Sequence, residues 1–184
     1  MTISLKPRMT ADEFLSWAQG REGRWELRQS TPVAMSPERV QHAATKGAVY
    51  AALAAACRSL KLPCRAYPDG VAVRVDGGTI YEPDALVACG ERPEPHALEI
   101  SNPVIVVEVL SPGTASVDHG QKLKDYFKIP SVMHYLILDP ESRLLVHHQR
   151  DAEDTVKTRI LTRGDLSLAP PGLVVAVEEL FPEP

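Results

Sequence analysis

The sequence predicts a mixed α/β (α+β) fold whose core runs helix, three strands, helix, strand (αβββαβ) between Pro37 and Leu138. Three observations carry this. Residues 104–110 form an almost unbroken β-branched and aliphatic run, the pattern of a strand buried on both faces, and Ser111, Pro112 and Gly113 stop it. An alanine-rich helical stretch precedes several short strand-like runs, and a second helix leads into another apolar strand at 132–138. With 184 residues, 44% of them hydrophobic, the chain can fill one core, so a single domain over residues 1–184 is expected.

Thr10-Ala-Asp-Glu13 reads as a capping box, with Met9 placed to staple against Phe14, so a helix should run to about Gln19. Gly20 and Gly23 end it, and an extended segment follows over 25–35. Ser36-Pro37-Glu38 is a second start signal, predicting a helix to about Ser59. Its small residues, Ala44, Gly47, Ala48, Ala51, Ala52 and Ala55, predict flat packing on a sheet or on a second copy. Strands are expected at 64–67, 70–75 and 80–88, with a turn at Asp76-Gly77-Gly78 and Pro83 near a strand start or an irregularity. Residues 90–103 read as a loop. After the buried strand, Thr114 or Ser116 caps a helix through Phe127, and strands follow at 132–138, 143–149, 155–161 and 174–177, with a short helix at 178–181.

A net charge of −4 rules out a global basic field for nucleic acid, so any such contact needs a local patch. Cys57, Cys64 and Cys89 form no CxxC pair, which suits reduced thiols in a cytoplasmic protein. No stretch has the length and apolarity of a membrane span or a signal sequence. The six histidines lack HExxH or Cys/His spacing, which argues against zinc.

One acid, Glu108, lies inside the buried run, and an ionised carboxylate there costs several kcal/mol unless a cation or donors meet it. Asp84 lies on a neighbouring strand. Two carboxylates at one sheet edge suit a hard cation, Mg²⁺ or Mn²⁺, which can acidify water and stabilise the charge of a reacting phosphodiester. Asp118, Lys122 and Tyr126 are spaced four apart and share a helix face, from which Lys122 can reach the carboxylates; Lys124 points elsewhere. His42, early in the alanine-rich helix, can approach the same place. The bland alternatives are a capping Asp84, a structural Glu108–Lys122 ion pair and a solvated helix face.

Tyr81-Glu-Pro-Asp84, Val107-Glu-Val-Leu-Ser-Pro112, Asp118 with Lys122 and Tyr126, and His134-Tyr-Leu-Ile-Leu-Asp-Pro140 together resemble the Uma-type restriction endonucleases of the PD-(D/E)XK nuclease superfamily. Trp25-Glu26-Leu27, Met35-Ser-Pro37, His42 and Glu179-Leu-Phe181 extend the resemblance over nearly the whole chain. It implies a restriction-endonuclease-like fold, Asp84 and Glu108 as metal ligands, and Lys122 as a displaced catalytic lysine, because the superfamily's usual lysine position holds Leu110. Glu26 matches an acid that completes the metal shell. The family follows that acid with Asp-Gly-Glu, whereas this chain reads Arg28-Gln29-Ser30-Thr31-Pro32. The implied function is a Mg²⁺- or Mn²⁺-dependent endonuclease on DNA, acting as a homodimer. The alternative is a nuclease-fold binding module without turnover.

Overall fold

The computed structural model describes residues 8–111, 118–151 and 155–182. Its first helix, α1 (Ala11–Ala18), has the capping box read from the sequence: the Thr10 hydroxyl accepts from the Glu13 amide at 3.3 Å while Glu13 Oε2 accepts from the Thr10 amide at 2.7 Å. Strands β1 (Trp25–Arg28) and β2 (Thr31–Ala34) then form a hairpin whose two-residue turn puts Gln29 and Ser30 at positive φ. The turn sits close on Gly78: a side chain there would meet Ser30 Oγ at 2.7 Å, so the serine hydroxyl would have to swing aside.

The long helix α2 (Val40–Ser59) starts later than the Ser36-Pro37 pattern predicts. Glu38 is held out of a helical first turn by ion pairs to Arg24 at 2.8 Å and to Lys46 at 2.5 Å. Toward its own sheet the helix presents a different face from the small-residue one. Thr45, Val49, Leu53, Ala56 and Cys57 are buried against the sheet, whereas Ala44, Gly47, Ala51 and Ala55 are exposed. The larger side chains remove more apolar area from water per contact and so take the buried face.

Strands β3 (Cys64–Pro68), β4 (Val73–Asp76), β5 (Thr79–Tyr81) and β6 (Ala85–Cys89) follow. The predicted strand over 80–88 is two strands in different sheets: β5 belongs to a four-stranded sheet ordered β2-β1-β5-β4, and β6 to the central one. Pro83 lacks a ladder donor, and the chain changes sheets there. Next come β7 (Pro103–Val109), α3 (Asp118–Tyr126), β8 (His134–Asp139), β9 (Leu144–Arg150) and β10 (Val156–Leu161). Thr114 and Ser116, the predicted helix caps, lie outside the described residues.

The central sheet has six strands, β10-β9-β8-β7-β6-β3, parallel only between β7 and β8 and antiparallel elsewhere. A parallel pair needs a crossover, which α3 supplies. One face packs on α2 through Ile105, Val107, Leu136 and Leu138; the other packs Val106, Tyr135 and Ile137 against Tyr126 and Ile129. A hairpin of β11 (Asp165–Leu168) and β12 (Leu173–Ala176) and a closing 3-10 turn, Val177–Leu180, cover α2 with alternating Leu166, Leu168, Leu173 and Val175. Strand β11 is absent from the sequence reading, since Gly164, Pro170 and Pro171 mask so short an alternation.

Cys64 and Cys89 are directly paired across β3 and β6 and are joined in a disulfide, which corrects the expectation of three reduced thiols; Cys57 is free and buried. Register decides this, because two cysteines at a sequence separation of 25 give no hint that their sulfurs meet. Among the described residues no helix is long and apolar enough to cross a membrane.

Candidate functional site

The β6–β7 ladder ends at Ala85↔Val107, so Asp84, just before β6, and Glu108, next to Val107 in β7, lie near the same end of the two strands, and the Asp84 amide donates to the Val107 carbonyl at 3.0 Å. Asp84 stands outside the strand and so need not share the face of Glu108, and the two carboxylates take partners from different helices.

Glu108 looks toward α3. Its Oε1 accepts from Lys122 Nζ at 2.8 Å and from the Tyr126 hydroxyl at 2.7 Å. One helix face therefore supplies both donors, as the four-residue spacing requires. Lys122 also donates to Glu26 Oε1 at 3.0 Å and lies 5.1 Å from the Tyr81 ring centre. Glu26 is further held by Arg28 Nη2 at 2.6 Å and by the Glu82 amide at 3.3 Å. All of Glu26, Glu108, Lys122 and Tyr126 are buried, so this is a desolvated arrangement of two carboxylates around one ammonium. Burial pushes the Glu108 carboxyl up to about 7, with Lys122 pulling it down and the Asp84 and Glu26 charges adding to the rise. Burial also acts to raise Glu26, but Lys122 and Arg28 outweigh it and hold that carboxyl below its ordinary range. Lys124 is exposed. Asp118 begins α3, but its side chain lies outside the described residues.

Asp84 looks toward α2. Its Oδ2 accepts from the Val109 amide at 2.7 Å and lies 3.7 Å from His42 Nε2, while Oδ1 is 3.4 Å from Lys46 Nζ. Lys46 is itself buried and also meets Glu38 Oε1 and Asp69 Oδ2, both at 2.5 Å. Arg24 ties the same acids together, with Nη1 at 2.8 Å from Glu38 and 2.7 Å from Asp69. The structure thus brings Glu26, Glu108, Lys122 and Tyr126 together on one side, and Asp84 with His42 on the other.

His42 has a defined tautomer. Its Nε2 lies 2.9 Å from the Val109 carbonyl, which can only accept, so Nε2 carries a proton and donates it there. Nδ1 is buried without a hydrogen-bond partner and is 3.5 Å from Glu38 Oε2. Glu38, His42 and Asp84 each offer a ligand atom, and these atoms lie within 4.8 Å of one another. An imidazole with Glu38 beside Nδ1 and Asp84 beside Nε2 is a donor set that fits a divalent cation, Mn²⁺ more readily than Mg²⁺ because a nitrogen takes part.

Sequence reasoning did not find Glu38, Lys46, Asp69 or Arg24. The one available signal was the four-residue spacing of His42 and Lys46, which places those two on one stripe of α2; Glu38 lies before the helix and is not marked by it. Asp69 and Arg24 arrive from other elements, and no local pattern marks them.

A family model described as "Uma2: Putative restriction endonuclease" matches residues 11–179. An uncharacterised protein from Synechocystis is 32% identical over 100 residues, 54% of this chain and 53% of that protein, so the match spans about half of each. A solved structure from Anabaena variabilis, described as a putative nuclease belonging to DUF820, is similar with a TM-score of 0.73 at 16% identity, covering 94% of this chain and 97% of that one. That likeness is one of fold.

Proposed function

Because the chain belongs to the Uma2 family, whose description is putative restriction endonuclease, we propose that it is a divalent-metal-dependent nuclease that hydrolyses phosphodiester bonds in DNA. The observation that supports this is the presence of two buried acids, Asp84 and Glu108, near one end of the neighbouring strands β6 and β7, each beside a buried lysine. Asp84 and Glu108 are the metal ligands in this reading, with His42 Nδ1 and Glu38 next to Asp84 as further donors. The ion supplies an acidified water and charge neutralisation at the scissile phosphate. Lys122 holds its proton strongly: burial pulls its pKa down, but Glu108 and Glu26 outweigh this and leave it raised. It therefore serves as a fixed positive charge for the phosphate or the attacking water, and not as a base. Glu26 and Tyr126 fix the positions of Lys122 and Glu108. A homodimer with DNA as its partner completes the proposal.

Cleavage of plasmid and single-stranded DNA with Mg²⁺ or Mn²⁺ tests it, comparing wild type with Asp84→Ala. Metal-dependent cutting that disappears in the variant is the expected result; cutting that survives rejects the site. One observation favours a second reading, a binding module without turnover: Lys46 and Lys122 already neutralise the acids. Calorimetry showing no Mn²⁺ uptake by the folded protein would favour that reading.

A further inference from the structure

Lys46 and His42 span the same two acids. Lys46 Nζ stands 2.5 Å from Glu38 Oε1 and 3.4 Å from Asp84 Oδ1, while the imidazole has Glu38 Oε2 at 3.5 Å and Asp84 Oδ2 at 3.7 Å. Glu38 and Asp84 are also the two carboxylates that can hold a metal ion together with His42. Each of them therefore already has one oxygen on a cation that belongs to the chain. Two positive charges on one pair of carboxylates repel each other strongly at such short range.

Lys46 has another acid to withdraw to. Its third partner, Asp69 Oδ2 at 2.5 Å, lies outside that donor set and follows β3, away from both α2 and β6 in the chain. Lys46 and Asp84 are buried, whereas the side chains of Glu38 and Asp69 are 26% and 33% exposed, so the cluster opens to water through these two. Arg24 bonds both of them as well, so each keeps a cation when Lys46 moves. Arg24 and Lys46 together serve four carboxylates, those of Glu38, Asp69, Glu82 and Asp84, which leaves negative charge in surplus for a further cation.

We propose that the Lys46 ammonium is a built-in stand-in for the divalent ion: it neutralises Glu38 and Asp84 in the metal-free protein, and the ion is taken up only as Lys46 withdraws toward Asp69. The identity of the ion rests on the nuclease reading above. Lys46 thus sets how tightly metal is held, whereas Lys122, which bonds Glu108 and Glu26, does not touch this donor set. It also spares the metal-free fold a buried, unpaired Asp84.

Calorimetric titration of Mn²⁺ into the DNA-free protein tests this, with wild type compared with Lys46→Met. Deleting a positive charge beside a doubly charged ion should tighten binding at least ~10-fold, even with water-like screening. Lys46→Gln removes the same charge but keeps a donor for Glu38 or Asp69; it should act alike and serves should Lys46→Met fail to fold. In wild type, acetylation by an N-hydroxysuccinimide ester, read by mass spectrometry, should be faster at Lys46 with saturating Mn²⁺ than without, while the exposed Lys61 reacts equally in both. Unchanged or weaker Mn²⁺ affinity in the folded variants, acetylation of Lys46 that Mn²⁺ leaves unchanged or slows, or no Mn²⁺ uptake by any of these proteins would each overturn the assignment. Plasmid cleavage by wild type, measured alongside, separates the two claims: cutting without tighter Mn²⁺ binding in the variants removes the stand-in and keeps the nuclease, and tighter binding without cutting does the reverse.

Discussion

Replacing Lys122 with Met leaves Glu108 and Glu26 buried on either side of an apolar chain. In wild type the ammonium donates to Glu108 at 2.8 Å and to Glu26 at 3.0 Å, and it is 5% exposed, so solvent cannot take its place. Removing one partner of a buried pair costs about 3–5 kcal/mol, a large share of the roughly 5–15 kcal/mol that holds a domain together. The loss depends on pH in a defined direction. Glu108 titrates at about 7 when folded against an ordinary 4.5, and losing Lys122 raises it further. A carboxyl with a raised folded pKa stabilises the protein at low pH and loses that contribution as pH rises through the folded value. Lys122→Met should therefore be hurt more at pH 8 than at pH 5, where Glu108 is protonated in both proteins. Urea unfolding followed by circular dichroism at the two pH values measures this, and adding Glu108→Gln should recover part of the loss at pH 8. A deficit below about 1 kcal/mol, the level of an exposed pair, or one equal at both pH values, would refute the reasoning.

Four further outcomes are expected. Asp84→Asn keeps an acceptor for the Val109 amide, so the fold should survive while Mn²⁺-dependent cleavage drops at least ~100-fold in a plasmid assay. His42→Ala removes the free Nδ1 and should weaken Mn²⁺ binding at least ~10-fold by calorimetry; unchanged affinity would remove His42 from the metal shell. The buried relay from Arg159 through His147 and His134 to the Pro170 carbonyl keeps both rings neutral, with burial pulling His134 down to about 4 and His147 to about 3. Such a depressed histidine stabilises above its unfolded value near 6.5 and loses that contribution as pH falls toward 4, on the order of 3 kcal/mol for His134; urea titrations should show the slope, and His134→Asn with His147→Gln should flatten it. Thr10→Ala should cost ~1 kcal/mol through the capping box, read from the thermal midpoint.

Much of the candidate site was legible because its residues sit in patterns that local chemistry enforces. Glu108 stood out as a charge in a run that must be buried, and Lys122 and Tyr126 followed from helical spacing; both reach Glu108 Oε1. Glu38, Lys46 and Asp69 stayed hidden because each, read alone, looks like a solvated surface charge. Their pairing, and the burial of Lys46, appear only when α2 crosses the sheet end and the loop after β3 returns beside it.

The sequence by itself determined the kinds of element, their order and the acids that had to be compensated, because periodicity, capping residues and turn residues act over a few positions. Tertiary structure decided the remaining partners of these acids, bringing Lys46 to Asp84 and adding Glu26 to the Lys122–Glu108 pair. It also split residues 80–88 between two sheets, turned the bulkier face of α2 inward and set Cys64 against Cys89. These outcomes depend on register and crossing geometry between segments far apart in the chain, where burial of the whole core outweighs any local preference.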